Sequence, residues 1–320
     1  MTAHTSGEAG FRDLKILVPF LLITLIWGST WIVIKDQLGE HSAVAVPHVW
    51  SVSYRFFIAG AAMMAIALMR GEGIGLAKGG HVLAVVLGTF QFVVNYNFVY
   101  ASERYITSGL AAVVFALLVA FNAALVWLFS GQRVSGRFAA GSAVAMAGVA
   151  FLFVQEIRQA GGSGGEVLTG LGLVLIAVLA ASVSNVMQIM PAMKVHKLAP
   201  MLGWAMLYGA SIDAFFAWSF VGPPVMDPRP GYWVGLVYLG VIASALAFWL
   251  YFEIIRKVGP AKAAYSSVLI PIIAMAFSTA LEDYRWSALA IAGGLLTVAG
   301  LVIALGSPRS APAPDMPPTD

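Results

Sequence analysis

Cysteine does not occur in the chain, and only 10% of its 320 residues are charged, against roughly a quarter in soluble domains. The first absence excludes a disulfide framework and a thiolate metal site. The second, set beside a hydrophobic share of 60%, excludes a soluble globular fold and defines an integral membrane protein. Histidine is also scarce: His4, His41, His48, His81 and His196 all fall in loops or at the ends of apolar runs. The convergent His and carboxylate groups, or Ser with a base, that an intramembrane enzyme requires are therefore not assembled. No G-x-x-x-x-G-K-[ST] phosphate loop is present, which argues against direct use of ATP. No cofactor and no metal are expected.

What is present is apolar length. A helix needs about 20 apolar residues to cross about 30 Å of hydrocarbon, and ten runs qualify, near 15–35, 49–69, 80–101, 107–130, 137–155, 168–190, 199–221, 232–254, 260–281 and 286–306. The first is longer than the apolar core of a signal peptide and has no small-residue cleavage site after it, so it reads as a membrane helix. The ending SPRSAPAPDMPPTD, rich in proline, reads as a solvated tail over 307–320.

Orientation follows from the retention of Lys and Arg on the cytoplasmic side. With residues 1–14 inside, twelve basic residues fall in cytoplasmic segments: Arg12, Lys15, Arg70, Lys78, Arg133, Arg137, Lys194, Lys197, Arg256, Lys257, Lys262 and Arg309. Five fall outside: Lys35, Arg104, Arg158, Arg229 and Arg285. Both termini are expected in the cytoplasm. The topology accounts for the net charge of +3, so no nucleic-acid partner is implied.

The chain also repeats itself. A shift of 152 residues lays 107–152 on 259–304 without a gap, with matches that include Arg133 with Arg285, Gly141 with Gly293 and Gly148 with Gly300. At a shift of 153, Pro47 and Arg55 share their spacing with Pro200 and Tyr208. Five helices per half is an odd number, so the second half must cross the membrane upside down relative to the first. The expected fold is all-α: ten transmembrane helices in two five-helix inverted-topology repeats, 15–158 and 167–306, joined by the Gly-rich linker 159–166. Inverted repeats of this kind typify secondary transporters, whose substrate site lies near the midplane between the halves.

IWGSTWIVIK at 26–35, the Arg55-Phe56 pair, and the two stretches ending in Gly141 and Gly148, and in Gly293 and Gly300, resemble the drug/metabolite transporter superfamily. Within it the chain resembles the ten-helix EamA-type proteins, most closely amino-acid exporters of the YddG type. The chain departs from that pattern where Gln132 and Tyr284 stand in place of glutamate, and where Val119 stands opposite the Pro271 of the second half. The resemblance implies export of metabolites across a bacterial inner membrane.

Candidate site residues come from polarity where lipid offers no hydrogen bond. In the third run, Gln91, Asn95, Phe98 and Ser102 share one helical face. Gln91 and Asn95 are expected in a cavity, and Asn97 as an interhelical bond. Ser184, Asn185 and Gln188 repeat the pattern in the sixth run. Trp27, Ser29 and Trp31 surround Gly28, where close packing is expected; Tyr208, Trp249, Tyr265 and Ser266 add rings and hydroxyls. Arg55 and Asp213 are ionisable groups deep within spans, a costly placement that marks function or pairing. Arg55 would clamp a carboxylate; Asp213 would meet an ammonium, relay a proton or neutralise Arg55. Glu103, Glu156, Glu253 and Glu282 read as interfacial charges.

An aromatic pocket with a few amides and hydroxyls suits a small amphipathic solute, amino acids including aromatic ones being the family's implication. Lipophilic-cation efflux and a passive channel are the alternatives. The expected partners are a small-molecule substrate and membrane lipid; a monomer is compatible with this reading, which leaves the oligomeric state open.

Overall fold

The computed structural model describes residues 14–38, 44–130, 135–159, 164–258, 263, 266–281 and 286–305. In hydrocarbon each backbone N–H and C=O must bond within its own segment, so apolar runs of this length become helices. They do so here as α1 (Leu14–Gln37), α2 (His48–Met69), α3 (Lys78–Ser102), α4 (Ser108–Phe129), α5 (Gly136–Gln159), α6 (Gly164–Met187), α7 (Leu198–Phe220), α8 (Pro230–Lys257), α9 (Ser266–Leu281) and α10 (Ala288–Leu305). Six of these, α1, α2, α3, α4, α6 and α8, are long and apolar enough to cross a membrane. Shorter apolar stretches lie in α5, α9 and α10.

Start signals are local. Thr107 accepts from the N–H of Leu110 at 3.4 Å before α4, Ser287 accepts from that of Ala290 at 3.1 Å before α10, and Pro230 opens α8, where its missing N–H costs nothing. The expected linker is shorter than its composition suggested, because Gln159 closes α5 and Gly164 to Glu166 already belong to α6. The proline-rich tail and both Gln132 and Tyr284 lie outside the described residues.

Three spans are not uniform. Thr89–Val94 in α3 and Tyr238–Leu246 in α8 are π-helical, and α4 breaks between Phe115 and Leu118 with three-residue bonds such as Leu117 N–H to Val114 C=O at 3.0 Å. No proline stands at this break. Pro271, in the second half, sits inside a continuous α9.

Packing between the halves is reciprocal. α1 packs on α9, and α4 on α6; α3 packs on α7, and α2 on α8; α3 packs on α6, and α1 on α8; α2 meets α7, and α5 meets α10. Glycine permits the closest of these approaches. A Cβ on Gly148 would lie 2.5 Å from the carbonyl oxygen of Gly293, and one on Gly300 would lie 2.6 Å from that of Gly141. The repeat pairs Gly141 with Gly293 and Gly148 with Gly300; the contacts join the same four glycines crosswise.

Candidate functional site

Six helices enclose a central cavity of about 80 Å³, room for a few waters. α1 contributes Trp27, Thr30, Trp31 and Ile34; α3 contributes Gln91, Asn95, Tyr96 and Val99; Ala112, Phe115, Ala116 and Leu118 flank the break in α4. The second half adds Ala181 and Asn185 from α6, Phe248 and Tyr251 from α8, and Ser266 and Ile270 from α9. Among the described residues no charged side chain lines it. Each half thus supplies one face of the cavity, and irregular backbone in α4 occurs where it borders that space, as expected for a bilayer protein.

The aromatic walls are interlocked. The Trp27 ring lies 5.2 Å from Phe248 and 4.9 Å from Tyr251, centroid to centroid, and Trp31 lies 5.8 Å from Phe115, nearly edge-on. Such tilted and edge-on geometries suit the ring quadrupole. Tyr251 is buried in this wall.

Two amide oxygens in the cavity, Gln91 Oε1 and Asn95 Oδ1, are buried without a protein partner among the described residues. Asn95 Nδ2 donates to the backbone carbonyl of Gln91 at 3.3 Å, which fixes the amide's orientation and leaves its oxygen turned elsewhere. A buried acceptor left unmade costs about 1–3 kcal/mol, which a donor reaching either oxygen would recover. The donors are mostly committed: Trp27 Nε1 to the Ala243 carbonyl at 3.0 Å, Thr30 Oγ1 to that of Trp27 at 2.8 Å, and Ser266 Oγ to that of Ala263 at 3.0 Å.

The π-helical turn of α8 organises one wall. A π turn interrupts the regular i→i−4 bonding of a helix and frees backbone groups for other partners. Within Tyr238–Leu246, Ala243 receives Trp27, Ser244 Oγ accepts from Arg55 Nε at 2.8 Å, and the Tyr238 hydroxyl shares a 2.6 Å hydrogen bond with Ser29. Ser29 therefore ties α1 to α8 and does not line the cavity, contrary to expectation.

Arg55 also stands apart from the cavity surface. It is wholly buried one layer behind it, with Nη2 3.4 Å from the Tyr96 hydroxyl and Cζ 4.4 Å from the Tyr96 ring centroid. Among the described residues no carboxylate lies within ion-pairing distance of it, and Nη1 has no partner. The pairing with Asp213 envisaged from the sequence does not occur. Asp213 Oδ1 instead accepts from Asn97 Nδ2 at 2.7 Å, joining α7 to α3 as expected of Asn97, and Asp213 Oδ2 has no partner among the described residues.

Four other expected cavity residues lie elsewhere. The Ser184 hydroxyl donates to the Ala180 carbonyl of its own helix at 3.2 Å, and Gln188 is fully buried at the end of α6. Tyr208 stacks on Trp204 at 5.4 Å and shares a 2.8 Å hydrogen bond with His81 Nδ1. Trp249 points away from Phe248 and Tyr251 and carries the Arg70 guanidinium 5.1 Å above its ring. Tyr265 lies outside the described residues. Glu103, expected as an interfacial charge, is fully buried where α3 ends, accepting from Ser108 Oγ at 2.9 Å, while its carbonyl receives Lys35 Nζ at 2.7 Å. Tyr96, Thr30, Phe115, Phe248 and Tyr251 are among the cavity residues not picked out as site candidates from the sequence. Gly28, in contrast, packs as expected, a Cβ there falling 2.5 Å from Ile273 Cγ2.

The chain is thus a multi-pass helical protein with a cavity shared by its two halves. The sequence pattern of the EamA-like transporter family matches residues 14–154 and again 168–306, and the chain belongs to that family. It is a transporter and not an enzyme. It is similar to an uncharacterized inner membrane transporter, YedA, of Escherichia coli (strain K12), at 27% identity over 92% of this chain and 93% of that one. It is also similar to a probable amino-acid metabolite efflux pump of the same strain, at 24% identity over 88% and 92% of the two chains. A solved structure described as "Crystal structure of protein" superposes with a TM-score of 0.67 at 20% identity, covering 92% of this chain and 97% of that chain, a likeness of fold alone.

Proposed function

We propose that the chain is a secondary transporter of the bacterial inner membrane that exports small amphipathic metabolites, amino acids including aromatic ones, by alternating access. The observation that carries this reading is the uncharged cavity itself: aromatic rings for an apolar side chain and two unmet amide acceptors, Gln91 Oε1 and Asn95 Oδ1, for an ammonium. Trp27, Trp31, Tyr96, Asn185, Phe248, Tyr251 and Ser266 complete the binding surface. The similarity to a probable amino-acid efflux pump supports the substrate class.

All ten helices cross the membrane, in two inverted five-helix repeats with both termini cytoplasmic. The reciprocal packing supports this, since a two-fold relation between halves requires that if helix i of one meets helix j of the other, j meets i. Parting of the halves would open the cavity to either side in turn. Asp213, buried against Asn97 with its second oxygen unmet, is the group proposed to bind a coupling proton.

The test is efflux of preloaded Phe, Trp, Thr and Glu from right-side-out vesicles containing the protein, with and without a proton gradient. Saturable, trans-stimulated efflux of Phe, Trp and Thr is expected, with Asp213→Asn retaining exchange but losing the response to the gradient. No efflux of any member overturns the amino-acid reading, and a linear ion current identifies a channel instead.

A further inference from the structure

Arg55 poses a problem that the cavity solves. A buried cation without a counter-charge is costly in a protein interior and more so within a bilayer. Yet the guanidinium is 1% exposed, bonded only to neutral groups, with Nη1 unmet and no carboxylate in ion-pairing range among the described residues. The groups around it include Ser244, Tyr96, Phe56, whose ring centroid lies 5.5 Å from Cζ, and the buried Tyr100, which stands in electrostatic reach of both the guanidinium and the Glu103 carboxylate. Asp213 is engaged by Asn97 instead.

We infer that Arg55 is the charge filter of the transport site: acting across the Tyr96 ring, it excludes monocations and admits solutes that bring a carboxylate. This rests on the reading of the cavity as the substrate site and deepens it to a class, the zwitterion. Tyr96 is the shared wall, because one of its faces carries the guanidinium at 4.4 Å from the ring centroid and the residue lines the cavity. A cation stacked on the opposite face would sit about 8 Å from Cζ. At an effective dielectric constant near 20 that repulsion amounts to about a thirtyfold loss of affinity.

Charge of the other sign gains by a similar factor. A simple anion, however, leaves the oxygens Gln91 Oε1 and Asn95 Oδ1 unmet, because it brings them no donor. A zwitterion satisfies both ends of this arrangement, its ammonium on the amide oxygens and its carboxylate in the field of Arg55. Arg55 is on this account a specificity-determining residue that need not touch the solute, and the aromatic walls do not make the cavity a site for lipophilic cations.

The experiment is equilibrium binding of three labelled compounds with one ring and different charge, 3-phenylpropionate, phenylalanine and 2-phenylethylamine, to the purified full chain. Phenylalanine is expected to bind about thirtyfold more tightly than 2-phenylethylamine, with little change in that ratio between low and high salt because the charge is buried. Arg55→Gln should bring the ratio close to one by improving amine binding. Arg55→Lys, which keeps the charge and loses the planar fork, should preserve it, as a purely structural role for the guanidinium would not. If Arg55→Gln fails to fold, the wild-type ratio and the Arg55→Lys ratio carry the test. Equal binding of phenylalanine and 2-phenylethylamine by the wild type, or an unchanged ratio in Arg55→Gln, overturns the inference. Should phenylalanine neither bind nor move while 3-phenylpropionate still outbinds 2-phenylethylamine, the amino-acid reading falls and the charge filter stands; no binding by any of the three sinks both.

Discussion

At the scale of single residues, the same side-chain types divide into cavity and scaffold according to which element their donors meet and whether they line the cavity. Asn97 donates to Val93 and Asp213, tying α3 to α7, and its own Oδ1 is buried without a partner among the described residues. Asn95, two positions earlier, lines the cavity, with one donor bond and an unmet acceptor. Asn95→Ala removes that acceptor and one long bond, at 3.3 Å, to the Gln91 carbonyl, so affinity for the ammonium-bearing solute should fall about fivefold while thermal stability in detergent changes little. A large loss of stability with intact affinity would instead place Asn95 in the scaffold. Helical spacing made Gln91 and Asn95 legible in the sequence, because two amides one turn apart in a lipid-length run must turn inward to find hydrogen bonds. It did not separate Trp249 from Phe248 and Tyr251, since an aromatic run in one helical turn points in several directions and composition does not say which way the turn faces.

At the scale of elements, helix positions were legible to within a few residues, because span length is set by the bilayer and the apolar runs stop where water begins. The irregularities were not. The π turn at Thr89–Val94 shifts the register of α3, which brings Tyr96 to the cavity beside Asn95, and that at Tyr238–Leu246 receives Trp27 and Arg55. Nothing in the amphipathic period announces a π turn, whose stability comes from neighbours bonding the groups it frees. Small residues at matched positions were a better guide. A Cβ at Gly148 would collide with the Thr297 backbone nitrogen, so Gly148→Leu should wedge α5 from α10 and destabilise the fold by roughly 1–3 kcal/mol. Gly172, in α6, has no atom within 4 Å of its Cβ position, and Gly172→Ala should be neutral or slightly stabilising. Comparing the two in thermal unfolding isolates close packing from helix propensity; equal effects would count against the tight crossing.

At the scale of the whole molecule, the halves are related by contact as well as by sequence. The modest identity of the repeat acquires physical meaning where Gly148 meets Gly293 and Gly300 meets Gly141, because crosswise contact between matched residues is what a two-fold axis produces. If that axis lies in the membrane plane, the loop before α3 and the loop before α8 must face opposite sides, although they occupy equivalent places in their repeats. The absence of cysteine makes this directly measurable. Gly75, in the loop after α2, has open space around it and Pro224, in the loop after α7, is exposed, so a single cysteine at either site should be tolerated. A membrane-impermeant maleimide applied to intact cells should label Pro224→Cys and spare Gly75→Cys until the membrane is opened, with the charge bias setting which side is which. Labelling of both from one side would leave the cavity and the glycine crossings in place but remove the inversion, and with it the reason to expect that one rocking motion exposes the site between Trp27, Asn95 and Tyr251 alternately to each face.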